Sequence, residues 1–318
     1  MTLPFTDPLR RLAMLLLVAS LASAPSLAAQ DSDPGSNGAS PSSPAEETKA
    51  VSAPADWHSD LTAAVAEAKE RGTYVFVDLF ADWCSWCHKL EDEVFVAPEF
   101  RDYVRTHDLV LLRVDTEDGG EGMRLNARYG GDSLPTSVLL DTDLVRVAAV
   151  TGYAPPEQFV ARLDAELAAW QGIVAGYDAV LQGDDVDLQR ELASDLHARG
   201  DARRASALYE RVVARVQDGT EAKAWLHYLL ADTYRLQGRF DDAASEAERA
   251  EALEATLEGT EELAERLDLL SFYMAQDDGD CPGAVASLEH FLREHPRSLL
   301  GGPLRQALET LKNDPQCS

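Results

Sequence analysis

The feature that most constrains this chain is a pair of cysteines, Cys84 and Cys87, that closely follows a dense apolar segment. The residues from Thr73 to Phe80 are rich in β-branched and aromatic side chains, which is typical of a buried strand. A helix is predicted from Cys84 through Val94. A cysteine at a helix N-terminus lies where unpaired backbone N–H groups and the helix dipole favour a thiolate. Strand, CxxC and helix together predict a redox-active dithiol.

The segments around this motif alternate between strand and helix patterns. Helical spacing of apolar residues begins at Leu61 and ends at Gly72, and Pro98 begins another helix. The other predicted elements are a buried strand over residues 109–114, a hairpin of residues 137–140 and 144–150, and a helix from Pro155 to about Trp170. This order predicts a mixed sheet that helices cover on both faces.

Two motifs relate this part of the chain to a known family. The segment from Asp78 to Cys87 reads Asp-Leu-Phe-Ala-Asp-Trp-Cys-Ser-Trp-Cys, and Leu134-Pro135-Thr136 precedes the strand at residues 137–140. They resemble the active-site strand, Trp-Cys-x-x-Cys and cis-proline loop of the thioredoxin superfamily, over roughly residues 56 to 171. The resemblance implies an α/β thioredoxin-like domain at residues 56–172, with a central mixed sheet flanked by helices.

The chemistry of thiol-disulfide exchange gives each cysteine a predicted role. Cys84 attacks the disulfide of a partner protein and forms a mixed disulfide with it. Cys87 follows one helical turn later, within reach of that bond, and resolves it. The resemblance implies that Asp78 is the family's buried acid beneath the second cysteine, where burial raises its pKa and lets it pass a proton. A carboxylate that caps a nearby backbone group is the alternative role for Asp78.

Four further residues are candidates for substrate binding. By family analogy, the peptide bond before Pro135 is cis, and the loop of Leu134 and Pro135 receives an extended substrate segment beside the disulfide. Trp83 is predicted to cover the surface of the active site. Trp86 lies in the dipeptide between the cysteines that tunes redox potential and partner choice, and simple packing is its alternative role.

The residues between and after the cysteines depart from ordinary thioredoxin. Ser-Trp replaces Gly-Pro, and the segment from His88 to Phe95 looks closer to secreted thioredoxin-like proteins and to the soluble C-terminal domain of the DsbD electron-transfer family. Acidic side chains surround the motif and disfavour a thiolate. They are Asp82, Glu91, Asp92 and Glu93. Likeness and charge together favour a protein-disulfide reductase over an oxidase or isomerase, with no cofactor and with a membrane electron donor.

The motif has a competing interpretation, because Cys84-Ser-Trp-Cys87-His88 also fits the CxxCH pattern of covalent c-type haem attachment. The preceding strand with its acid, and the downstream Leu-Pro-Thr loop, argue against haem, which remains a minor alternative. A zinc site would need further Cys or His ligands nearby, so no metal site is predicted. His88 is predicted to face solvent on the helix.

After Gly172 the chain loses strand patterns and becomes helical throughout. Two units of paired helices recur at a shift of 38 residues, with Gly200 and Gly238 at equivalent turns, and a weaker third unit contains Gly279 and Pro296. These positions resemble tetratricopeptide repeats, although the shift exceeds that family's usual period of about 34. We therefore expect an all-α repeat-like domain at residues 173–318 that engages a protein partner. Shielding of the redox domain or self-association is the alternative.

The chain has four cysteines, and Cys281 and Cys317 remain once Cys84 and Cys87 are assigned to the redox motif. In an oxidising compartment these two are predicted to form a structural disulfide. A second redox pair or two free thiols are the alternatives.

The N-terminal residues 1–28 have the parts of a cleaved signal peptide: Arg10 and Arg11, an apolar segment from Leu12 to Leu21, and small residues up to Ala28. An uncleaved anchor is the alternative. Residues 29–55 are rich in Ser, Pro, Gly and Ala with few large apolar side chains, so they are predicted to be a disordered linker. We expect a periplasmic or otherwise exported protein with no stable membrane insertion after cleavage.

The charge of the chain limits its partners. There are 28 Lys and Arg against 56 Asp and Glu, for a formal net charge of −28, which repels nucleic acids. The sequence therefore predicts an exported thiol-disulfide oxidoreductase that acts on protein disulfides or thiols. A non-catalytic envelope scaffold with a thioredoxin-like fold is the alternative function.

Overall fold

The computed structural model describes residues 57–118, 120–130 and 133–313. The predicted signal peptide at 1–28, the predicted linker at 29–55 and Cys317 lie outside these residues. Within the described ranges, no helix has the length and apolar character needed to cross a membrane.

A mixed five-stranded sheet forms the centre of the first part of the described chain. Its strands are β1 (Trp57–His58), β2 (Val75–Phe80), β3 (Val110–Asp115), β4 (Thr136–Leu140) and β5 (Arg146–Thr151). They lie in the order β1-β3-β2-β4-β5, with β1, β3 and β2 parallel and with β4 and β5 antiparallel to their neighbours. The continuous apolar sequence of β2 suits a central strand because both of its faces are covered.

Helices cover both faces of this sheet. The first four are α1 (Leu61–Arg71), α2 (Ser85–Leu90), α3 (Pro98–Thr106) and α4 (Glu121–Leu125). Short π-helical segments extend two of them, Glu91–Phe95 after α2 and Asn126–Gly130 after α4. The predicted mixed sheet with helices on both faces is confirmed, whereas the short strand β1 was not predicted.

The two faces have different cores. On one face, Ala64 and Ala68 of α1 join Val77, Leu79 and Leu125 in an aliphatic cluster. On the other face the core is aromatic, and Phe76 lies 5.1 Å, centroid to centroid, from Phe100 and 5.7 Å from Phe95. Phe76, Asp78 and Phe80 alternate along β2 and therefore share this aromatic face. The candidate acid Asp78 thus lies on a central strand whose side chains are buried.

A long helix, α5 (Pro156–Gln182), follows the sheet. It continues well past the predicted end near Trp170, and the predicted domain boundary at 172/173 falls inside it. A glycine in a helix interior costs only about 1 kcal/mol relative to alanine. Burial of Trp170, Ile173 and Tyr177 offsets that penalty at Gly172 and lets the helix run on.

Paired helices make up the rest of the described chain. They are α6 (Val186–Arg199) with α7 (Ala202–Val213), α8 (Glu221–Leu236) with α9 (Phe240–Glu254), and α10 (Glu261–Asp277) with α11 (Cys281–Glu294). A last helix, α12 (Gly301–Asn313), packs on α11. The repeated units are predicted to have a glycine at each turn. Gly200, Gly238 and Gly279 do lie at the turns, and all three have positive φ. The predicted all-α region after the sheet is confirmed.

Candidate active site

Helix α2 begins at the cysteine pair. Cys84 is its N-cap, with extended backbone, and the backbone N–H of Cys87 donates to Cys84 Sγ over 3.1 Å. The sulfurs of Cys84 and Cys87 are joined in a disulfide. Cys87 is buried, and Cys84 is 4% exposed, so the first cysteine is the one nearer to solvent. After reduction, the amide that points at Cys84 Sγ would stabilise its thiolate.

A small apolar cluster surrounds the disulfide. Ala81 packs against both cysteines, and the half-buried side chain of Leu134 reaches the same cluster from the loop before β4. The peptide bond between Leu134 and Pro135 is cis, as the resemblance implies. The carbonyl of Pro135 accepts a hydrogen bond of 2.8 Å from the N–H of Gly152, which fixes this loop to the end of β5. The two predicted motifs therefore meet at one site.

Two large indoles flank the disulfide. Trp83 is 67% exposed and Trp86 is 54% exposed, and both are adjacent in sequence to a cysteine. The Nε1–H of Trp83 donates to Glu117 Oε1 over 2.8 Å, which holds that ring near the end of β3. Exposed apolar surface beside a reactive group is typical of a contact surface for a partner. The predicted role of Trp86 in partner contact therefore stays a prediction that its exposure supports.

Further contacts hold Trp86 in place. Its ring lies 5.6 Å from that of Tyr153, and Lys89 Nζ lies 5.4 Å from the centre of Trp86 and 4.7 Å from that of Tyr153. The hydroxyl of Tyr153 donates to Glu93 Oε2 over 2.5 Å. Tyr153 was not predictable from a local pattern, because it lies 67 residues after Trp86 and joins the site only through the fold.

Asp78 lies on β2, just before the cluster that contains the disulfide. It is 1% exposed, and neither carboxylate oxygen accepts a hydrogen bond. Burial raises the pKa of Asp78 to about 7, although the nearby Arg113 guanidinium opposes this increase. The absence of any backbone donor to Asp78 argues against the capping role. An acid with a pKa near neutrality is suited to proton transfer.

Arg113 connects this acid to helix α2. It lies opposite Asp78 on β3, with Nε 3.4 Å from Asp78 Oδ2, and its Nη1 pairs with Glu91 Oε1 at 2.5 Å. This pairing lowers the pKa of Glu91, and Glu91 follows Cys87 by one helical turn. Glu91 was predicted to disfavour a thiolate at the motif, but its pairing with Arg113, which was not predicted, offsets its charge. Only the register of β2 against β3 places the arginine there.

Three further predictions concern His88, a metal site and the remaining cysteines. His88 is exposed, and its Nε2 lies 2.8 Å from the carbonyl oxygen of Asp82. In the ranges that the structure covers, no three His, Cys, Asp or Glu side chains are grouped in a way that could hold a metal ion. Cys281, at the start of α11, is disulfide-bonded. Its predicted pairing with Cys317 stays a prediction because Cys317 lies outside the described residues.

Comparison with known proteins agrees with this geometry. A family model described as Thioredoxin-like domain matches residues 61–166. The chain is 31% identical over 106 residues to the Thiol:disulfide interchange protein DsbD of Pseudomonas fluorescens, a match that covers 32% of this chain and 18% of that protein. It is 32% identical over 157 residues to Thiol:disulfide interchange protein DsbD 2 of Pseudomonas aeruginosa, covering 48% and 26%.

A solved structure is also similar. The oxidised C-terminal domain of DsbD from Neisseria meningitidis has 20% sequence identity and a TM-score of 0.31, and the match covers 35% of this chain and 99% of that domain. The chain spans about a fifth to a quarter of the length of the two curated relatives.

Proposed function

We propose that this chain, whose residues 61–166 belong to the thioredoxin superfamily, is an exported thiol-disulfide oxidoreductase that reduces disulfides in partner proteins. One observation carries the proposal. The Cys84–Cys87 disulfide lies at the start of a helix, against the loop of cis Pro135 and after a strand that carries an unpaired buried acid.

In the first step the reduced protein binds its partner between Trp83, Trp86 and the loop of Leu134 and Pro135. The Cys84 thiolate attacks one sulfur of the partner's disulfide. An S–S bond forms between Cys84 and that sulfur, the partner's own S–S bond breaks, and its second sulfur leaves as a thiolate that takes up a proton. The exposed indoles support this arrangement because they provide apolar contact area on both sides of the reacting sulfur.

In the second step Cys87 loses its proton, with Asp78 as the acceptor, and attacks Cys84 Sγ. The Cys84–Cys87 disulfide forms, the mixed disulfide breaks, and the partner leaves with both of its sulfurs reduced. Two electrons have moved from the cysteine pair to the partner. The pKa of about 7 for Asp78 supports its role, because such a carboxylate both accepts and releases a proton near neutral pH.

The charges around the cysteine pair support the proposed direction of electron transfer. A dithiol is a strong oxidant when its thiolate form is well stabilised. No hydrogen-bond donor neutralises the Asp78 carboxylate, and the chain as a whole is strongly acidic. Because negative charge disfavours a second negative group, stabilisation of the Cys84 thiolate is limited. These features favour a reductase. Its oxidised form must be re-reduced by a dithiol donor, which we place in the membrane because exported thiols otherwise become oxidised.

Localisation and partners complete the proposal. The signal-like N-terminus and the disulfide-bonded Cys281 support export to an oxidising compartment such as the periplasm. The helix pairs after α5 engage a protein partner, since stacked pairs of this kind offer extended binding surfaces.

The test is turnover of a protein disulfide. The purified chain, with dithiothreitol as electron source, should accelerate insulin reduction, measured by turbidity or by thiol release. Cys84→Ala should abolish that acceleration because the attacking sulfur is gone. Cys87→Ala should instead accumulate a mixed disulfide with insulin, visible by mass spectrometry.

Cys281→Ser is the matched control, since it removes a cysteine outside the site. It should retain the acceleration if the protein stays folded, which circular dichroism checks. An equal lack of acceleration in the unmodified chain and in Cys84→Ala would reject the enzyme and favour a non-catalytic scaffold.

A further inference from the structure

A second site lies where the sheet domain meets the helix pairs. A cleft of about 710 Å³ is lined by residues from α4, its π-helical extension and the helices α6, α8, α9 and α10. Ligand pockets in proteins are commonly about 300–1,000 Å³, so this cleft has room for a ligand. It involves neither cysteine and neither indole of the proposed active site.

The cleft is basic in a chain that is otherwise strongly acidic. Arg124, Arg128 and Arg235 all line it. Arg235 is neutralised by ion pairs with Asp232 and Asp277. Arg124 and Arg128 are exposed, and neither has an ion-pair partner within the part of the chain that the structure describes. Two guanidinium groups are therefore available to an anionic ligand.

Glycine permits the close approach of one of these arginines to the helix pairs. A Cβ atom at Gly200 would lie only 2.9 Å from Arg128 Nη2, so a larger residue there would push the guanidinium away. Gly200 also has φ of +86°, which disfavours other residues. The glycine in the turn between α6 and α7 thus leaves room for the Arg128 guanidinium beside the cleft.

The spacing of the two arginines indicates what kind of anion fits. Arg124 and Arg128 are four residues apart on a helical segment, so their side chains project from one face, with Cβ atoms about 5–6 Å apart. Alternate residues of an extended peptide are about 6.6–7 Å apart and point to the same side. Two carboxylates on alternate residues of such a peptide would therefore meet the two guanidiniums.

The lining of the cleft is also partly aromatic. Phe240 and Tyr273 line it, and Tyr273 is 41% exposed. Apolar side chains on the other side of an extended peptide would pack there. We propose that this cleft binds an extended, acidic peptide segment of a partner protein, with its carboxylates on Arg124 and Arg128. This proposal does not rest on the redox function, because binding can be measured with the disulfide intact.

The test uses a fluorescein-labelled octapeptide that alternates Glu and Ala, with fluorescence anisotropy as the readout on the purified, oxidised chain. Because each substitution removes a charge-assisted hydrogen bond to a peptide carboxylate, Arg124→Gln and Arg128→Gln should each weaken binding about tenfold or more. An octapeptide that alternates Gln and Ala should bind at least about tenfold more weakly than the acidic one.

Arg297→Gln is the matched control, because Arg297 is exposed after α11, away from the cleft, and the substitution removes the same charge. It should leave the affinity unchanged. The proposal is overturned if the acidic peptide does not bind, or if Arg297→Gln weakens binding as much as the cleft variants. It is also overturned if succinate displaces the peptide with equal affinity, since the ligand would then be a small dianion.

Discussion

Two buried carboxylates, one in the sheet domain and one among the helix pairs, have opposite surroundings. Asp78 on β2 is 1% exposed and accepts no hydrogen bond. Glu246 on α9 is 8% exposed, yet His227 Nδ1 lies 2.6 Å from its Oε2, and Arg249 pairs with its Oε1. Buried carboxylates in this chain therefore differ in whether they have hydrogen-bond partners.

The difference in hydrogen-bond partners suits the two carboxylates to different roles, structural for Glu246 and chemical for Asp78. Glu246 joins α9 to α8 through His227, so its charge is used to hold two helices together. Burial raises the pKa of Asp78 to about 7, because its offset ion pair with Arg113 opposes that effect only in part. An unsatisfied buried acid lowers stability, and such groups are concentrated where a protein needs a shifted pKa.

The largest effect is expected from Asp78→Asn. A pKa raised from 3.8 to about 7 means that the native state binds this proton more tightly than the unfolded state does. Stability is therefore lost as the pH rises from about 4 to about 7. At about 1.4 kcal/mol per pH unit, the substitution should raise the free energy of unfolding by up to about 4 kcal/mol at pH 8.

Urea unfolding of the oxidised protein at pH 5 and pH 8 measures this effect, and the increase should be smaller at pH 5. Equal increases at both pH values would show that the carboxylate charge is not its cause. Insulin reduction by Asp78→Asn should fall about a hundredfold or more, because the proton acceptor for Cys87 is lost.

Glu246→Leu should have the opposite effect on stability. Loss of the carboxylate would leave the buried ring of His227 without its hydrogen-bond partner, which costs about 1–3 kcal/mol. The free energy of unfolding should fall by that amount in urea. Glu248→Leu is the matched control because Glu248 is exposed on the same helix. Similar small losses in both variants would mean that the pair with His227 does not hold α8 and α9 together.

Arg113→Met should move the pKa of Asp78 further above its ordinary value. Arg113 opposes the effect of burial, so its removal should raise the pKa of Asp78 further, by about one unit. Carbon-13 NMR of the side-chain carboxyl across a pH titration measures the pKa directly. Arg105→Met removes the same charge from an exposed pair with Asp102 and should leave that pKa unchanged. An unchanged or lower pKa in Arg113→Met would contradict the role of Arg113.

The smallest effect concerns two buried serines. Ser137 lies opposite Asp78 on β4, and its hydroxyl has no hydrogen-bond partner. Ser206 donates to the carbonyl of Arg203 and accepts from Gln237 Nε2. Ser206→Ala should therefore cost about 1 kcal/mol of unfolding free energy, whereas Ser137→Ala should cost nothing or stabilise slightly. Equal losses in urea unfolding would show that the Ser137 hydroxyl is satisfied after all.

The sequence predicted those parts of the fold that have strong local patterns. The apolar strand before Cys84, the glycine that ends α1 and the paired helices with glycine turns all follow from spacing and composition. The two-residue strand β1 was missed because it is too short to show a pattern. Helix α5 extends beyond its predicted end because buried aromatic side chains outweigh the low helix propensity of Gly172.

The candidate site was predictable only where its residues belong to motifs. The cysteines, Asp78 and Pro135 lie in two short segments, so the sequence alone pointed to them. Arg113 and Tyr153 reach the site through strand register and the end of β5, which no local pattern reveals. The ion pair between Arg113 and Glu91 likewise depends on a helix packed over a strand.

The reduction potential of the Cys84–Cys87 pair tests the central claim most directly. The protein, carrying Cys281→Ser and Cys317→Ser to remove other thiols, would be equilibrated in graded thiol-disulfide buffers and its free thiols trapped. Limited stabilisation of the Cys84 thiolate predicts a potential near about −270 mV, at the reducing end of the scale. A potential near about −120 mV would contradict the account and make the protein an oxidant of thiols.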